Sequence, residues 1–292
     1  MEHRLLEYFM AVSEELHFTK AADNLGISQP TLSHQIRLLE QQLGTPLFHR
    51  SGKKIHLTQA GVILLEHTRR IFHELEQAKV GIGELSGMKR GKLRIGCSGN
   101  HLLINSIITF HRQFPGIELS VVELATEETR DKLLGNQLDL GVVFLPLKDE
   151  QLVSVPLYRE ELVVIAPREH PFASCDRIEL AQLAQSPLVL FPPKFLARQM
   201  MEAACAEIGI RLTPVIELST MESQCQMVAN HVGVTVVPKS YTATLRDSRL
   251  VSRPIAEPSP SKSVGIVYRK DTYMDTVIQA FIQHLSTNLQ TA

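Results

Sequence analysis

The side chains best equipped for covalent chemistry lie in one short run. Residues 97–101 (Cys97, Ser98, Gly99, Asn100 and His101) place a thiol, a hydroxyl and an imidazole close together. A nucleophile needs a base to take its proton and a third group to orient that base. No partner carboxylate is placed by the sequence, and the spacing is not Gly-x-Ser-x-Gly. There is no phosphate-loop motif and no His-Glu-x-x-His. The four cysteines, Cys97, Cys175, Cys205 and Cys225, lie far apart with no Cys-x-x-Cys. That fits reduced thiols, not a disulfide scaffold or a zinc site. A redox pair of Cys205 with Cys225 is the alternative to plain buried thiols. The expectation is a protein that is not an enzyme and holds no resident cofactor or metal.

Non-covalent chemistry is better represented. Gln29, Thr31, Ser33, His34 and Arg37 fall on one side of a helical period, with Leu32, Ile36, Leu39 and Leu43 on the other. Short or flexible polar groups on an exposed helix suit base edges and phosphates in a DNA major groove. Arg50, Lys53 and Lys54 follow. Residues 28–58 hold four Lys/Arg against one acid (Glu40), inside a chain whose formal charge is −1. The overall balance therefore gives no support to nucleic-acid binding, but this local patch does.

These residues need a frame. Leu5, Leu6, Phe9, Met10 and Val12 recur at helical spacing. A short second helix over 18–25, with Thr19 as N-cap, would turn Ala21, Ala22 and Leu25 inward. Gly26 suits a left-handed turn, Ile27 plugs it, Ser28 caps the next helix and Pro30 sits in its first turn. That helix runs from Gln29 to about Leu43. After Gly44, residues 46–57 read as a hairpin with its turn near Ser51 and Gly52. Helix, glycine turn and capped helix make the helix-turn-helix pattern. Thr58 can cap a long helix to about Leu85, along which Val62, Leu65, Ile71, Leu75, Ala78 and Ile82 form an apolar stripe that seeks a coiled-coil partner. Residues 86–91 read as a hinge.

Beyond the hinge, strands and helices alternate, which implies a parallel sheet with helices on both faces. The strands fall at 92–96, 117–123, 138–143, 162–166, 187–191, 214–218, 233–238 and 263–269. A ligand in such a fold sits beyond the carboxyl ends of strands, where helix N-termini offer N–H groups. Four segments qualify: Ser98, Gly99, Asn100 and His101; Thr126; Lys194 and Phe195 with Arg198; and Ser219 with Thr220. Hydroxyls, helix N-termini and one or two cations point to an anion such as a carboxylate.

The whole chain is consistent with this. Its 292 residues suit two domains, and 44% hydrophobic with 21% charged residues is an ordinary globular composition. No signal-peptide pattern and no stretch of membrane-spanning length is seen, so a cytoplasmic protein with no membrane partner is expected.

One resemblance ties these features together. Phe18, Thr19, Lys20, Ala21, Ala22, Leu25, Ser28 to Ser33, Gln35, Ile36, Leu39, Glu40, Leu43, Gly44, Leu47, Phe48, Arg50 and Leu57 to Gly61 form a series similar to the DNA-binding domain of LysR-type transcriptional regulators. The resemblance implies that Ser28, Gln29, Pro30, Thr31, Ser33, His34 and Arg37 belong to the recognition helix, and that Arg50, Lys53 and Lys54 belong to the wing. It implies a winged helix-turn-helix over 1–58, a linker helix that pairs copies over 59–87, and a two-lobed α/β effector-binding domain over 88–292, similar to periplasmic solute-binding proteins. Lobe I would be 92–161 with 269–292 and lobe II 162–268, with crossings near Leu162 and Val267. Ser98, Thr126 and Thr220 match positions that often line the effector cavity, whereas His101 departs from the small residues usual there. The implied activity is regulation of transcription at an interrupted dyad-symmetric promoter. The implied partners are double-stranded DNA, a small effector, RNA polymerase and further copies in a dimer of dimers. A cyanate- or acetate-responsive branch is the lead on the effector.

Overall fold

The structure is a computed structural model that describes residues 2–51, 54–85 and 91–289. Its first unit packs α1 (His3–Glu15), α2 (Phe18–Asn24) and α3 (Gln29–Leu43) against a hairpin of β1 (Phe48–Ser51) and β2 (Lys54–Leu57). Phe9, Val12, Ala21, Leu32, Leu39 and Leu47 are buried together, so each helix gives its apolar stripe to one core. The second helix is capped by His17, not Thr19. The His17 backbone is extended and its Nδ1 accepts the Lys20 N–H at 3.3 Å. Leu43, expected to face inward, is 41% exposed because Gly44 ends the helix beyond the core's edge at φ +67°.

A single helix, α4 (Gln59–Leu85), follows. Its 27 residues extend roughly 40 Å at 1.5 Å per residue. The predicted stripe divides. Leu65 joins the core of the first unit, whereas Val62, Ile71, Leu75, Ala78 and Ile82 are exposed. The expected hinge falls outside the described residues except for Gly91, which opens the next strand.

The second unit begins with β3 (Gly91–Cys97), α5 (Ile104–Gln113), β4 (Ile117–Glu123), α6 (Thr126–Leu134) and β5 (Leu140–Phe144). Here β3 lies between β4 and β5 and is parallel to both. The chain then enters β6 (Leu152–Pro167), a strand of sixteen residues. Further on come α7 (Leu180–Ala184), β7 (Val189–Leu190), α8 (Leu196–Glu207), β8 (Ile216–Glu217), α9 (Met221–Ala229), β9 (Thr235–Pro238), β10 (Leu250–Pro254), β11 (Ser261–Arg269) and α10 (Thr276–Leu289). Residues 152–161 of β6 pair antiparallel with β11, and residues 162–167 pair antiparallel with β9 and β10. One strand therefore runs through both lobes.

Two expectations change. The sheet is mixed, not parallel, because β11 enters between β5 and β6 and runs antiparallel to both. The return strand joins lobe I at Ser261, not near Val267, because it pairs with the first part of β6 along its whole length and with β5 over residues 264–267. The lobes keep separate cores. Phe110, Leu140, Ile266 and Phe281 fill lobe I, and Val164, Leu190, Met201 and Val236 fill one side of lobe II.

A buried polar group joins α4 to lobe I. Arg94 donates from Nη2 to Asp139 Oδ1 at 2.7 Å and from its backbone N–H to Oδ2 at 2.7 Å. The same Nη2 lies 3.2 Å from His73 Nδ1. Burial lowers the His73 pKa, with Asp139 opposing and Arg94 reinforcing the shift. A neutral ring fits, since Nδ1 must then accept from the guanidinium.

Candidate DNA-binding face and interlobe cleft

Two sites are assembled, one in each unit. The first is the outer face of α3. Ser28 caps the helix, its Oγ accepting the Thr31 N–H at 3.3 Å and contacting Thr31 Oγ1 at 2.7 Å. Pro30 lies in the first turn, where a missing N–H costs nothing. Pro30, Thr31, His34 and Arg37 are exposed, and Gln29 and Ser33 are half-buried. Gln29 Nε2 donates to Ser33 Oγ at 2.7 Å, and Arg37 Nε donates to the Ser33 carbonyl at 3.3 Å. The predicted set thus shares one surface. A shallow groove lined by Gln29, Ser33, Arg37, Phe48 and Ile55 separates it from the hairpin.

The hairpin places the backbones of Arg50 and Lys54 on adjacent strands, beside the pair Ser51–Lys54 that closes the ladder. Lys53 lies outside the described residues. Glu40, read from the sequence only as the one acid of the basic stretch, has a further task. Its Oε1 accepts the Leu47 and Phe48 N–H groups at 2.8 and 3.3 Å, fixing the hairpin to α3. A lone acid in a basic stretch was the available signal.

The second site is a cavity of about 520 Å³ between the lobes. Ser98, Asn100 and His101 reach it from the end of β3, and Ser219 and Thr220 from the approach to α9. Thr220 Oγ1 caps α9 by accepting the Ser223 N–H at 3.3 Å. Beneath it, buried Gln224 donates to the Leu218 carbonyl at 2.8 Å and accepts from Thr235 Oγ1 at 2.6 Å, which holds the loop. Phe195, at the start of α8, stacks on Phe191 with centroids 5.1 Å apart, and both rings line the cavity.

Several predicted residues stand elsewhere. Thr126 does not line the cavity; it supports Ser98, with hydroxyls 3.2 Å apart. Gly99 lies under the His101 ring, where a Cβ would meet Cε1 at 2.3 Å. Lys194 does not line the cavity, and its Nζ sits 5.6 Å over the Phe195 ring. Arg198 is a correction. It is buried and donates to the Phe191 carbonyl, Glu217 and Glu202 at 3.1, 3.2 and 2.8 Å, so it clamps β7, β8 and α8 and has no free face for a ligand. The part of the anion expectation that rested on these two cations loses its support; the hydroxyls of Ser98, Ser219 and Thr220 still reach the cavity.

Sequence reasoning missed Glu123, Glu160 and Glu222, which do line the cavity. Glu160 sits where β6 passes from lobe I to lobe II and is 2% exposed. Its Oε1 accepts the Ser240 N–H and its Oε2 the Tyr158 hydroxyl, both at 3.0 Å. Burial and the adjacent Glu160 push the Tyr158 pKa up, so the phenol keeps its proton and donates. An acid pair, Glu160 and Glu161, entering an apolar strand was the visible hint.

The thiols are not arranged for exchange. Cys205 and Cys225 belong to separate clusters in lobe II. Burial raises Cys97 and Cys205 and pushes Cys225 up to about 11. Among the described residues, no group of three or more His, Cys, Asp or Glu is placed to hold a metal. No helix among them is long and apolar enough to cross a membrane.

Comparison with known proteins fits this geometry. Residues 3–62 match the family described as bacterial regulatory helix-turn-helix protein, lysR family, and residues 86–290 match the LysR substrate binding domain. The chain is 32% identical over 273 residues to the DNA-binding transcriptional dual regulator OxyR of Escherichia coli K12, covering 92% of this chain and 90% of that protein. It is 32% identical over 297 residues to the HTH-type transcriptional regulator YnfL of the same organism, covering 99% of each. Full-length OxyR from Pseudomonas aeruginosa, solved as a single-residue variant, superposes with a TM-score of 0.74 at 28% identity, covering 99% of this chain and 95% of that one. These relatives are transcription regulators, not enzymes. The chain therefore belongs to the LysR family of bacterial helix-turn-helix regulators, with a DNA-binding unit at its N-terminal end and a substrate-binding domain behind it.

Proposed function

We propose that the chain acts in the cytoplasm at promoter DNA as a dimer of dimers, with α3 in the major groove, the hairpin on the phosphates and a small effector held between the lobes. The carrying observation is the outer face of α3. Six predicted side chains share a surface that adds nothing to the core, while Leu32, Ile36 and Leu39 on the opposite face are buried. The exposed Ile71, Leu75, Ala78 and Ile82 support pairing through α4, since they repeat at intervals of four, three and four residues. The effector acts by closing the cleft around the β6 crossing, which alters the spacing of the DNA-binding pairs and their contact with RNA polymerase. No resident cofactor enters this scheme.

Hydrogen peroxide is the inducing signal named for several relatives. Burial makes Cys97, Cys205 and Cys225 poorer thiolates, which weighs against carrying a thiol mechanism to this chain.

Fluorescence anisotropy on duplexes selected by the protein from a random pool tests the DNA assignment. Arg37→Ala should narrow the gap between selected and scrambled duplexes by roughly 1–3 kcal/mol if its guanidinium reads a base. An equal loss on both duplexes makes Arg37 a phosphate anchor, and no loss on either removes α3 from the interface.

A further inference from the structure

We propose that the interlobe cleft binds a small organic cation, an amine carried on an apolar body. This deepens the effector reading above and rests on it.

The charges facing the cavity are all of one sign. Glu123, Glu160 and Glu222 line it, and among the described residues no Lys or Arg does. Of the nearby cations, Lys194 stays outside the lining, with its Nζ over the Phe195 ring, and the other two are held by carboxylates. Arg198 is held by Glu202 and Glu217, and Lys239 pairs with Glu161 at 3.3 Å. Glu160 is the decisive group. It is buried, and its two hydrogen bonds come from neutral donors, the Tyr158 hydroxyl and the Ser240 N–H. A buried carboxylate is costly without a counter-ion. A ligand ammonium in the cavity would supply one.

His101 is a second, independent observation. Both of its ring nitrogens are buried without a hydrogen-bond partner. Burial lowers its pKa to about 4, so it is neutral near pH 7 and cannot serve as the missing cation. A neutral imidazole keeps one acceptor nitrogen, which an ammonium N–H satisfies. The remaining wall is apolar and aromatic. Phe144, Phe191, Phe195 and Met200 suit an alkyl or aryl body, and a ring face also attracts a cation. An anion would meet three carboxylates. The α9 N-terminus offers it little, because Glu222 already occupies the first turn.

The test uses the full-length protein and isothermal titration with two matched sets: 2-phenylethylamine, 2-phenylethanol and 3-phenylpropanoate, and hexylamine, hexanol and heptanoate. At least one amine should bind about tenfold or more tightly than its carboxylate counterpart. Glu160→Gln keeps an acceptor for the Ser240 N–H and should weaken the amine by about tenfold. Glu123→Gln and Glu222→Gln, at exposed positions, should each weaken it by a smaller factor. Ala197→Trp fills the cavity and should abolish binding. Carboxylates that bind as tightly as amines, and are lost in Ala197→Trp, overturn the cation and keep the cleft. Failure of both amines to bind also overturns the cation. Amine binding that survives Ala197→Trp and all three glutamine variants overturns the cleft itself.

Discussion

Glu40 shows how much one side chain can decide. Its carboxylate satisfies two backbone N–H groups at the start of the hairpin. Glu40→Ala leaves them unpaired and should cost about 1–3 kcal/mol in chemical unfolding, whereas Glu40→Gln retains an acceptor and most of the stability. His101 carries a pH dependence with a definite sign. Its folded pKa, about 4, lies below the ordinary 6.5, so the unfolded chain binds more protons between those values. Stability is complete above about pH 6.5 and declines as pH falls towards 4, by roughly 3 kcal/mol. Unfolding midpoints from pH 7.5 to 4 should flatten in His101→Phe. An unchanged slope would place the titration elsewhere, at His73 or His170, whose pKa values burial also lowers. In the wing expected from the sequence, removing the charges of Lys53 and Lys54 together should weaken all duplexes alike and reduce the salt slope of log K by up to about two. An unchanged slope would detach the wing from the phosphates.

Among the elements, α4 has two faces with different duties. Gly61 allows its first turn to reach the hairpin, since a Cβ there would lie 2.2 Å from the Leu47 carbonyl oxygen. Gly61→Ala should therefore cost roughly 1–3 kcal/mol of stability through displaced backbone, readable by thermal melting. Further along, Ile71 and Leu75 are 40% and 42% exposed on the outward stripe. Leu75→Asp should shift sedimentation towards the monomer and weaken DNA binding with it, while leaving the melt of the separate lobes unchanged. A dimer that persists would move the interface off this stripe. The sequence made α4 readable in length and periodicity but not in division, because the stripe is continuous in one dimension. Only the packing of Leu65 against the first unit shows where core ends and free face begins.

At the scale of the whole molecule, β6 is the part that both lobes share, and it carries Glu160 at the transition. An effector that closes the cleft must act on this crossing and on the second strand that returns at Ser261. The Arg94–Asp139–His73 group ties lobe I to α4. Local order in the chain determined the helix-turn-helix, its glycine turn, the Ser28 cap and the polar outer face of α3, because those depend on neighbours within a few residues. It also determined that strands and helices alternate beyond the linker. Tertiary structure alone decided the sign of the cleft. Lys194 and Arg198 look available in sequence, but the fold turns Arg198 inward to close three elements. Glu123, Glu160 and Glu222 are far apart in the chain and meet only when two lobes face each other. Charge in a cavity is a property of what converges there, and convergence between distant segments leaves no local period for the sequence to display.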